Sequence, residues 1–214
     1  MKKVLLIGGT GGLGRKISEK LSLKLDCESV GSKVFNVCDE YVVREYLERN
    51  DYDIIVYLSV KNIDGQIHKQ TTESVNLQLD VNVNGFLNVL RYSTPKLREK
   101  GYGRIIYISS VLAKKPIRGT GIYSASKTFC ESIIKTYSLE NSKYGITANS
   151  IRLGYFDGGL TEKVPNEIME NVVNTIPLKR LGAADEIAAI IQTIIETEYI
   201  NGATISITGG YENI

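Results

Sequence analysis

Short apolar runs alternate with segments of helical period along the chain, and this alternation constrains the fold more than any other feature of the sequence. In the segment that follows the first apolar run, Leu13, Ile17 and Leu21 share one helical face. Later apolar runs of strand length are again followed by helical segments. Strands and helices that alternate in this way form a parallel sheet covered by helices on both faces. The sequence therefore predicts an α/β protein built on a mostly parallel sheet.

Strands are predicted over residues 4–7, 27–30, 33–37, 53–58, 103–109, 147–153 and 203–207. Helices are predicted over residues 13–22, 39–50, 77–97, 123–142 and 184–198, with Asp39 as the N-cap of the second. The connection between the second and third strands consists of Gly31 and Ser32 alone, whereas a parallel pair needs a crossover of about a dozen residues. Either the chain turns sharply there between separated positions of the sheet, or one of these two strands is a loop.

The composition argues against several classes of function. The chain has 214 residues, 43% of them apolar, and a net charge of +2, which is ordinary for a single globular domain over residues 1–214. This charge does not indicate a nucleic-acid or membrane partner, and no apolar run approaches the roughly 18 residues of a membrane span. Cys27, Cys38 and Cys130 lack paired or metal-ligand spacing, and the lone His68 cannot build a metal site. We therefore expect a cytoplasmic protein with reduced thiols and no metal.

Three glycines, Gly8, Gly12 and Gly14, lie between the first predicted strand and the first predicted helix. Gly8 permits a tight turn, Gly12 lets backbone approach a pyrophosphate, and Gly14 allows the helix to pack closely on the sheet. The N-terminus of the helix then offers unpaired N–H groups and positive partial charge to phosphates. Glycine-rich turns are common, but this position directly after the first strand favours a dinucleotide site over a structural turn. Thr10 and Leu13 complete the predicted phosphate-binding loop.

A second motif combines a serine, a tyrosine and a lysine. The strand predicted at 103–109 ends beside Ser110, and a later helix begins with Tyr123. Lys127 follows Tyr123 at i+4, so the two side chains lie on one helical face, one turn apart. A hydroxyl, a phenol and an ammonium group at one point can polarise a carbonyl and give it a proton. The spacing therefore predicts proton transfer to or from a carbonyl or alcohol oxygen.

A third pattern, Ile-Pro-Leu-Lys-Arg-Leu-Gly at residues 176–182, follows these two motifs. Together the three patterns resemble the short-chain dehydrogenase/reductase family over essentially the whole chain. The resemblance implies a Rossmann-type, doubly wound sheet of about seven strands, a nicotinamide dinucleotide, and hydride transfer between it and a ketone or secondary alcohol. It also implies a homodimer or homotetramer assembled through the helices predicted at 77–97 and 123–142.

The resemblance adds Asn82 as a fourth catalytic residue, since such an asparagine in family members helps to hold a water molecule between the lysine and solvent. Alone, a mid-helix asparagine is better explained by local hydrogen bonding; we favour the catalytic role because its three partners are in register. Asn84 is the other asparagine that can match this position. In the implied reaction Tyr123 is the general acid or base, and the Lys127 ammonium and oxidised nicotinamide favour its phenolate. Ser110 hydrogen-bonds the substrate oxygen.

Two other functions are compatible with parts of this pattern. A dinucleotide-binding regulator or scaffold with little or no turnover is favoured by an altered segment at 57–60, while the complete catalytic set argues against it. An epimerase or dehydratase of nucleotide sugars would use the same tyrosine and lysine. Such extended relatives normally carry a larger C-terminal substrate domain, whereas this chain ends shortly after Gly210.

The chain departs from the family at several positions that contact the cofactor in family members. Tyr-Leu-Ser-Val at 57–60 replaces Asn-Asn-Ala-Gly, and Leu153 precedes Gly154 where the family has proline. Gly158 stands in place of a threonine that often contacts the nicotinamide amide, and Asn36 in place of an adenine-contacting aspartate. Besides the phosphate-binding loop, Tyr123 and Lys127, the expected cofactor contacts are Ser32, Lys33, Asn36, Val37, Leu58, Ser59 and Gly154.

The choice between the two nicotinamide cofactors depends on the end of the second strand. An acid there binds the ribose 2′-hydroxyl of NAD, and a basic residue favours the 2′-phosphate of NADP. Ser32 and Lys33 follow this strand without an acid, which favours NADP(H) over NAD(H). Two alternatives stay open: Lys33 is an ordinary surface lysine, or the strand ends earlier and Asp26 or Glu28 reaches the ribose.

The segment between the serine and the tyrosine carries the one indication about the substrate. Lys114, Lys115 and Arg118 are three cations without a nearby acid in the sequence, an arrangement compatible with an anionic carbonyl or alcohol substrate. The alternative is a solvated loop. Residues 155–175, with Gly158 and Gly159, are predicted to form a mobile lid over the substrate.

Overall fold

The computed structural model describes residues 2–213, without the side chains of Lys163 and Asn166, and centres on a six-stranded sheet. The strands are β1 (Lys3–Ile7), β2 (Asp26–Val30), β3 (Ile54–Tyr57), β4 (Gly103–Ser110), β5 (Ile146–Leu153) and β6 (Thr204–Ile207). Their order is β2-β1-β3-β4-β5-β6, and every neighbouring pair is parallel. β2 lies on one side of β1, and the later strands lie on the other. In such sheets the ligand crevice forms at this switch point, at the carboxyl ends of the strands.

Helices cover both faces of the sheet, as the sequence predicts. They are α1 (Gly12–Leu21), α2 (Glu40–Arg49), α3 (Thr72–Leu79), α4 (Gly85–Lys100), α5 (Gly121–Asn141), α6 (Asn166–Thr175) and α7 (Ala184–Glu196). α2, α4 and α5 pack on one face, and α1 and α7 on the other. Successive residues of a strand point to opposite faces, so Leu5 and Ile7 join the first core while Val4 and Leu6 join the second.

The strand predicted at 33–37 is wrong, and this error accounts for the expectation of seven strands where the described residues form six. After β2 the chain turns, and the carbonyl oxygen of Gly31 accepts hydrogen bonds from the N–H groups of Val34 and Phe35. Phe35 and Val37 are nevertheless buried in the core formed by α2, α4 and α5. Of the two explanations for the short connection after β2, the loop is correct.

Capping explains where two of the helices begin. Asp39 is the N-cap of α2, as predicted, and its carboxylate accepts hydrogen bonds from the N–H groups of Tyr41 and Val42. The helix predicted at 77–97 is longer than expected, because α3 begins after a threonine cap and continues into α4. The two helices are joined by a π-helical turn at Asp80–Asn84. Such turns are rare and occur frequently at functional sites.

The carboxyl ends of the strands bring distant parts of the chain together. The phosphate-binding loop follows β1, Ser110 ends β4, residues 154–182 follow β5, and the C-terminal residues follow β6. This edge of the sheet therefore holds the candidate site. Across residues 2–213, each helix is too short or too polar to cross a membrane.

Candidate active site

The fold brings Ser110, Tyr123 and Lys127 together. Ser110 ends β4, and its hydroxyl oxygen accepts a hydrogen bond from Leu112 N at 3.2 Å in the turn that follows. Ser110 also opposes the rise in the pKa of the Tyr123 phenol, so the two side chains lie near each other. Tyr123 and Lys127 are both buried, one turn apart at the start of α5. The geometry thus places a phenol, a hydroxyl and an amine at one end of the sheet.

The Lys127 side chain reaches the carboxyl end of β4. Its Nζ donates to the carbonyl oxygen of Ile108 at 2.8 Å. The same atom lies 4.7 Å from the ring centroid of Tyr107 and 5.8 Å from that of Tyr123. Burial lowers the pKa of the ammonium to about 8, while the nearby Cys130 and Glu131 act in the opposite direction.

Burial also governs the state of the phenol. It raises the pKa of Tyr123 to about 12; the hydrogen bond with Ser110 opposes this shift, and the charge of Asp64 adds to it. At neutral pH the phenol therefore holds its proton. In this state it is suited to donating a proton to a developing oxyanion.

Asn82 lies in the π-helical turn and is fully buried. Its side-chain oxygen accepts from Lys61 N at 2.8 Å, and its amide donates to Lys61 O at 2.8 Å and to Ser126 Oγ at 3.1 Å. Asn82 thus ties α5 to the segment after β3, and local hydrogen bonding within its own helix does not explain it. Asn84, the other asparagine, is exposed and donates to Asp80 in its own turn.

The π-helical turn leaves two backbone carbonyls for side chains to satisfy. Tyr57 Oη donates to Val81 O at 2.6 Å, and Cys130 Sγ donates to Asn82 O at 3.2 Å. A Cβ atom at Gly85 would lie 2.8 Å from Tyr57 Oη, so a glycine at this position makes room for the phenol. Tyr57, which replaces the first asparagine of the family pattern, is therefore a structural part of this turn.

The phosphate-binding loop is shaped by close backbone approaches. Gly8 has a φ of 90°, and a Cβ there would lie 2.7 Å from Ser59 N. A Cβ at Gly14 would lie 2.2 Å from Gly8 O, so α1 packs directly on the turn. The N-cap residue Gly11 provides no side-chain cap, and the first turn of α1 carries no acid. The helix N-terminus therefore fits an anionic group such as a diphosphate.

The segment after β5 lies directly on this loop. A Cβ at Gly12 would lie 2.7 Å from Gly159 Cα, and Gly159 has a φ of 67°. Lys16 Nζ of α1 forms an ion pair with Asp157 Oδ2 at 2.8 Å. Gly158, with a φ of 120°, lies beside Lys16 and α1. The two glycines of the predicted lid thus give the backbone a left-handed path that brings it against α1.

The other predicted cofactor positions fall into three environments. Leu58 N and Gly154 N donate to the ends of β1 and β6 at 2.8 and 2.9 Å, so both lie at the candidate edge. Asn36 is exposed, with its side-chain oxygen accepting from Cys38 N at 3.2 Å. Val37 packs in the core, where a Cβ at Gly85 would lie 2.6 Å from its Cγ2.

The acids of β2 are held away from the candidate edge. β2 ends at Val30, as the sequence predicts, and Asp26 lies at its opposite end. Glu28 forms an ion pair with Lys3 at 3.1 Å and accepts a hydrogen bond from the phenol of Tyr46. The possibility that either acid reaches the ribose is therefore not supported by the strand geometry. Ser32 and Lys33, directly after β2, are exposed, and Thr10 packs against Gly31.

The expectation of three cations without a nearby acid is wrong. Lys114 Nζ forms an ion pair with Glu212 at 2.8 Å, because the C-terminal residues return to this loop. Lys115 Nζ lies 4.5 Å from the ring centroid of Tyr211. Arg118 is exposed in the same loop. The sequence separation of Lys114 and Glu212 hid this contact.

A buried charge network behind the site was not predicted. Ser109 Oγ donates to Glu131 at 2.6 Å, and Arg152 Nη2 of β5 forms an ion pair with Glu131 at 2.6 Å. Arg152 Nη1 also pairs with Glu212 at 2.8 Å. This network links α5, β5 and the C-terminal residues to the strand end that carries Ser110. The available signal was the i+4 spacing of Glu131 from Lys127.

Comparisons with known proteins agree with this geometry. A family model described as enoyl-(acyl carrier protein) reductase matches residues 44–212. An acetoacetyl-CoA reductase from Shinella zoogloeoides is 30% identical over 82% of this chain and 74% of its own. The 3-oxoacyl-[acyl-carrier-protein] reductase MabA from Mycobacterium avium is 29% identical over 98% of this chain and 89% of its own.

A solved structure shares the whole fold. The gluconate 5-dehydrogenase from Burkholderia cenocepacia, in complex with NADP and tartrate, superposes with a TM-score of 0.91. It covers 100% of this chain and 96% of its own at 19% identity, a likeness in fold. On the family match and the relatives in sequence, the chain belongs to the short-chain dehydrogenase/reductase family of NAD(P)-dependent oxidoreductases.

Proposed function

We propose that the chain is an NADP(H)-preferring reductase of a ketone, working reversibly on the secondary alcohol, with Tyr123 as the general acid and base. The observation that carries the proposal is the position of the buried Lys127, whose Nζ lies 5.8 Å from the Tyr123 ring centroid and donates to Ile108 O at 2.8 Å, two positions before Ser110 in β4. A serine, a tyrosine and a lysine so placed can together hydrogen-bond a carbonyl oxygen and give it a proton. The charge network and the π-helical turn both serve to fix this group.

The protonation states support the direction of reduction. The pKa of Tyr123, raised to about 12 by burial, keeps the phenol protonated at neutral pH, so it donates a proton as the carbonyl oxygen gains charge. Ser110 donates a hydrogen bond to the same oxygen, and the Lys127 ammonium stabilises the phenolate that remains. Positioned acid–base help of this kind contributes roughly 10²–10⁴-fold. Asn82 supports the start of α5 through Ser126.

A nicotinamide dinucleotide, when bound, would supply the hydride. The uncapped N-terminus of α1 fits its diphosphate, with Gly8, Thr10, Gly12, Leu13 and Gly14 forming the loop. Ser32 and Lys33 follow β2 with no acid beside them, which supports NADP(H) over NAD(H). The solved gluconate 5-dehydrogenase holds NADP, which supports the same choice.

For the substrate we propose a 3-oxoacyl thioester of modest chain length. The relatives in sequence are named as reductases of acetoacetyl-CoA and of 3-oxoacyl-acyl carrier protein. Next to Ser110, a small apolar cluster is formed by Val111, Ile176 and Tyr211, with Tyr155 packed against it. Tyr155 and Tyr211 form a T-shaped contact in this wall, with ring centroids 5.2 Å apart. Such a wall suits a short acyl group.

Assembly through α4 and α5 is proposed on family grounds. Phe129 and Leu139 of α5 are large apolar side chains that are 44% and 80% exposed, as expected of a face that a second copy covers. Sedimentation velocity should show a dimer or tetramer. A monomer at micromolar concentration would contradict this part of the proposal.

The test of the function is NADPH oxidation in the presence of acetoacetyl-CoA, longer 3-oxoacyl thioesters and simple ketones. We expect turnover with one of these classes, and a loss of about 10²–10⁴-fold in Tyr123→Phe without a comparable change in the NADPH dissociation constant. Tyr41→Phe, which alters an exposed phenol on α2, is the matched control. Tight NADPH binding without turnover on any class would instead favour a dinucleotide-binding regulator. Equal turnover in Tyr123→Phe would exclude Tyr123 as the acid.

A further inference from the structure

We propose that Tyr107 is a positioning residue that holds the Lys127 ammonium against the face of its aromatic ring. The kinetic part of this inference rests on the proposed function, whereas the contact itself does not. Neither residue type nor spacing in the sequence singles out Tyr107, which lies in β4, three positions before Ser110.

The geometry is that of a buried cation–π contact. Lys127 Nζ lies 4.7 Å from the Tyr107 ring centroid, and both residues are buried. Within residues 2–213, the hydrogen bond that Nζ donates goes to one acceptor, the carbonyl oxygen of Ile108. A desolvated ammonium over a ring face gains more from the ring quadrupole than an exposed one. The ring therefore supplies an attraction that one carbonyl does not.

The charged group nearest to Lys127 along α5 is paired with other residues, so the Tyr107 ring is a main source of attraction for the ammonium. Glu131, one turn further along α5, is engaged by Ser109 and Arg152. The other titratable groups that face the ammonium are Tyr123 on α5, whose ring centroid lies 5.8 Å away, and Cys130. Behind Tyr107 lies Tyr57 of β3, and Asp64 acts on the phenol of Tyr123.

Packing fixes the Tyr107 ring in this position. Tyr57 stacks on it with centroids 6.0 Å apart and an interplanar angle of 17°, and Phe86 packs at 4.6 Å. Tyr57 is itself anchored by its hydrogen bond to Val81 O in the π-helical turn. The Tyr107 hydroxyl is buried and has no hydrogen-bond partner among residues 2–213. The three aromatic residues Tyr57, Phe86 and Tyr107 thus pack against one another and present the face of Tyr107 to Lys127.

The protonation of Lys127 should therefore depend on the electron density at the face of the Tyr107 ring. When that ring loses its negative face, the ammonium becomes less stable and gives up its proton at a lower pH. Tyr107→Phe keeps the ring face and removes the hydroxyl. Pentafluorophenylalanine at position 107 keeps the shape and inverts the quadrupole, and Tyr107→Leu removes the ring. The fluorinated residue answers the question even where the leucine variant does not fold.

The first measurement is an NMR titration of isotopically labelled lysine side chains in the cofactor-free protein, with Lys127 assigned by its loss in Lys127→Arg. We expect the Lys127 midpoint to be nearly unchanged in Tyr107→Phe and to fall by about one pH unit with pentafluorophenylalanine. Tyr102→Leu, which alters a ring 4.3 Å from the Arg104 guanidinium at the start of β4, is the control and should leave the midpoint in place. An unchanged midpoint with the fluorinated residue would overturn the inference.

The second measurement is the pH profile of ketone reduction. The alkaline limb should move to lower pH with pentafluorophenylalanine and stay in place with Tyr107→Phe. A limb that moves as far with phenylalanine as with the fluorinated residue would assign the effect to the hydroxyl and overturn the ring assignment. If the NMR midpoint shifts while the parent protein turns over no substrate, the contact stands and the proposed function fails.

Discussion

Gly12 and Gly159 lie so close that a Cβ atom at Gly12 would come within 2.7 Å of Gly159 Cα. The sequence assigns Gly12 to the approach of a pyrophosphate, yet backbone of the segment after β5 lies there. The ion pair between Lys16 and Asp157, 2.8 Å long, secures the same approach. A dinucleotide that binds at α1 therefore has to share this space with the segment or displace it.

Breaking this ion pair should loosen the segment. In Asp157→Asn we expect amide hydrogen exchange over residues 159–175 to accelerate roughly twofold to fivefold, since exposed ion pairs contribute ~0.2–1 kcal/mol. Asp185→Asn is the matched control, because Asp185 pairs with Lys20 of the same helix at 4.0 Å and lies in α7. Unchanged exchange in Asp157→Asn, or equal acceleration in both variants, would show that the pair does not hold the segment.

The buried Lys127 should make stability depend on pH in a defined window. Burial depresses its pKa from 10.5 to about 8, so between these values the unfolded chain binds more protons than the folded one. The stability of the native protein relative to Lys127→Met should therefore rise across this window, by up to roughly 3 kcal/mol. Below about pH 8 the full cost of the buried charge remains, and Lys127→Met should be the more stable protein there.

The measurement is urea denaturation of both proteins at a series of pH values. Lys24→Met serves as the control, since Lys24 is exposed and hydrogen-bonds Gln192 on the surface. A stability difference between native protein and Lys127→Met that stays constant across the window would contradict the depressed pKa.

Much of the fold could be predicted because burial leaves a periodic record in the sequence. The parallel sheet, the helices on both faces and the Asp39 cap are confirmed. The strand at 33–37 was wrong because Phe35 and Val37 are buried while Val34 before them and Asn36 between them are exposed, an alternation that a strand also shows. The periodicity of apolar residues indicates which side chains are buried, but it does not indicate whether the backbone pairs with a neighbouring strand.

In the candidate site, contacts within one helix could be predicted from the sequence, and contacts between separate elements could not. The proximity of Tyr123 and Lys127 follows from helical spacing, which acts over one turn. The contacts of Arg152 with Glu131 and Glu212 and of Lys127 with Tyr107 join separate elements, and only the packed sheet brings them together. No local pattern encodes such contacts, so they could not be read from the sequence.

Arg152 should be among the costliest charged residues to remove. It bridges Glu131 and Glu212, whose side chains are only 8% and 6% exposed. Arg152→Met leaves two buried carboxylates without this cation, and we expect a loss of about 3–5 kcal/mol in the free energy of unfolding. Adding Glu131→Gln should recover part of that loss, because the carboxylate that pairs with Arg152 is then neutral, while Glu212 keeps its ion pair with Lys114.

Chemical denaturation of the single and double variants measures this coupling. Arg49→Met, which breaks the exposed pair with Glu45 at 2.7 Å, is the control and should cost no more than ~1 kcal/mol. If Arg152→Met costs no more than Arg49→Met, the network does not stabilise the strand end that carries Ser110.

The end of β2 should set the choice between NADPH and NADH. Lys33 and Ser32 are exposed directly after β2, while Glu28 is held by Lys3 at 3.1 Å. In Lys33→Ala the dissociation constant of NADPH should rise about tenfold or more, the effect of losing a charged phosphate contact, while that of NADH should change little. Ser32→Asp should reverse the preference by binding the ribose 2′-hydroxyl and repelling the 2′-phosphate.

Titration calorimetry with NADPH and NADH measures these dissociation constants, with Lys24→Ala as the exposed-lysine control. Parallel changes for NADPH and NADH in Lys33→Ala would place the 2′-phosphate elsewhere.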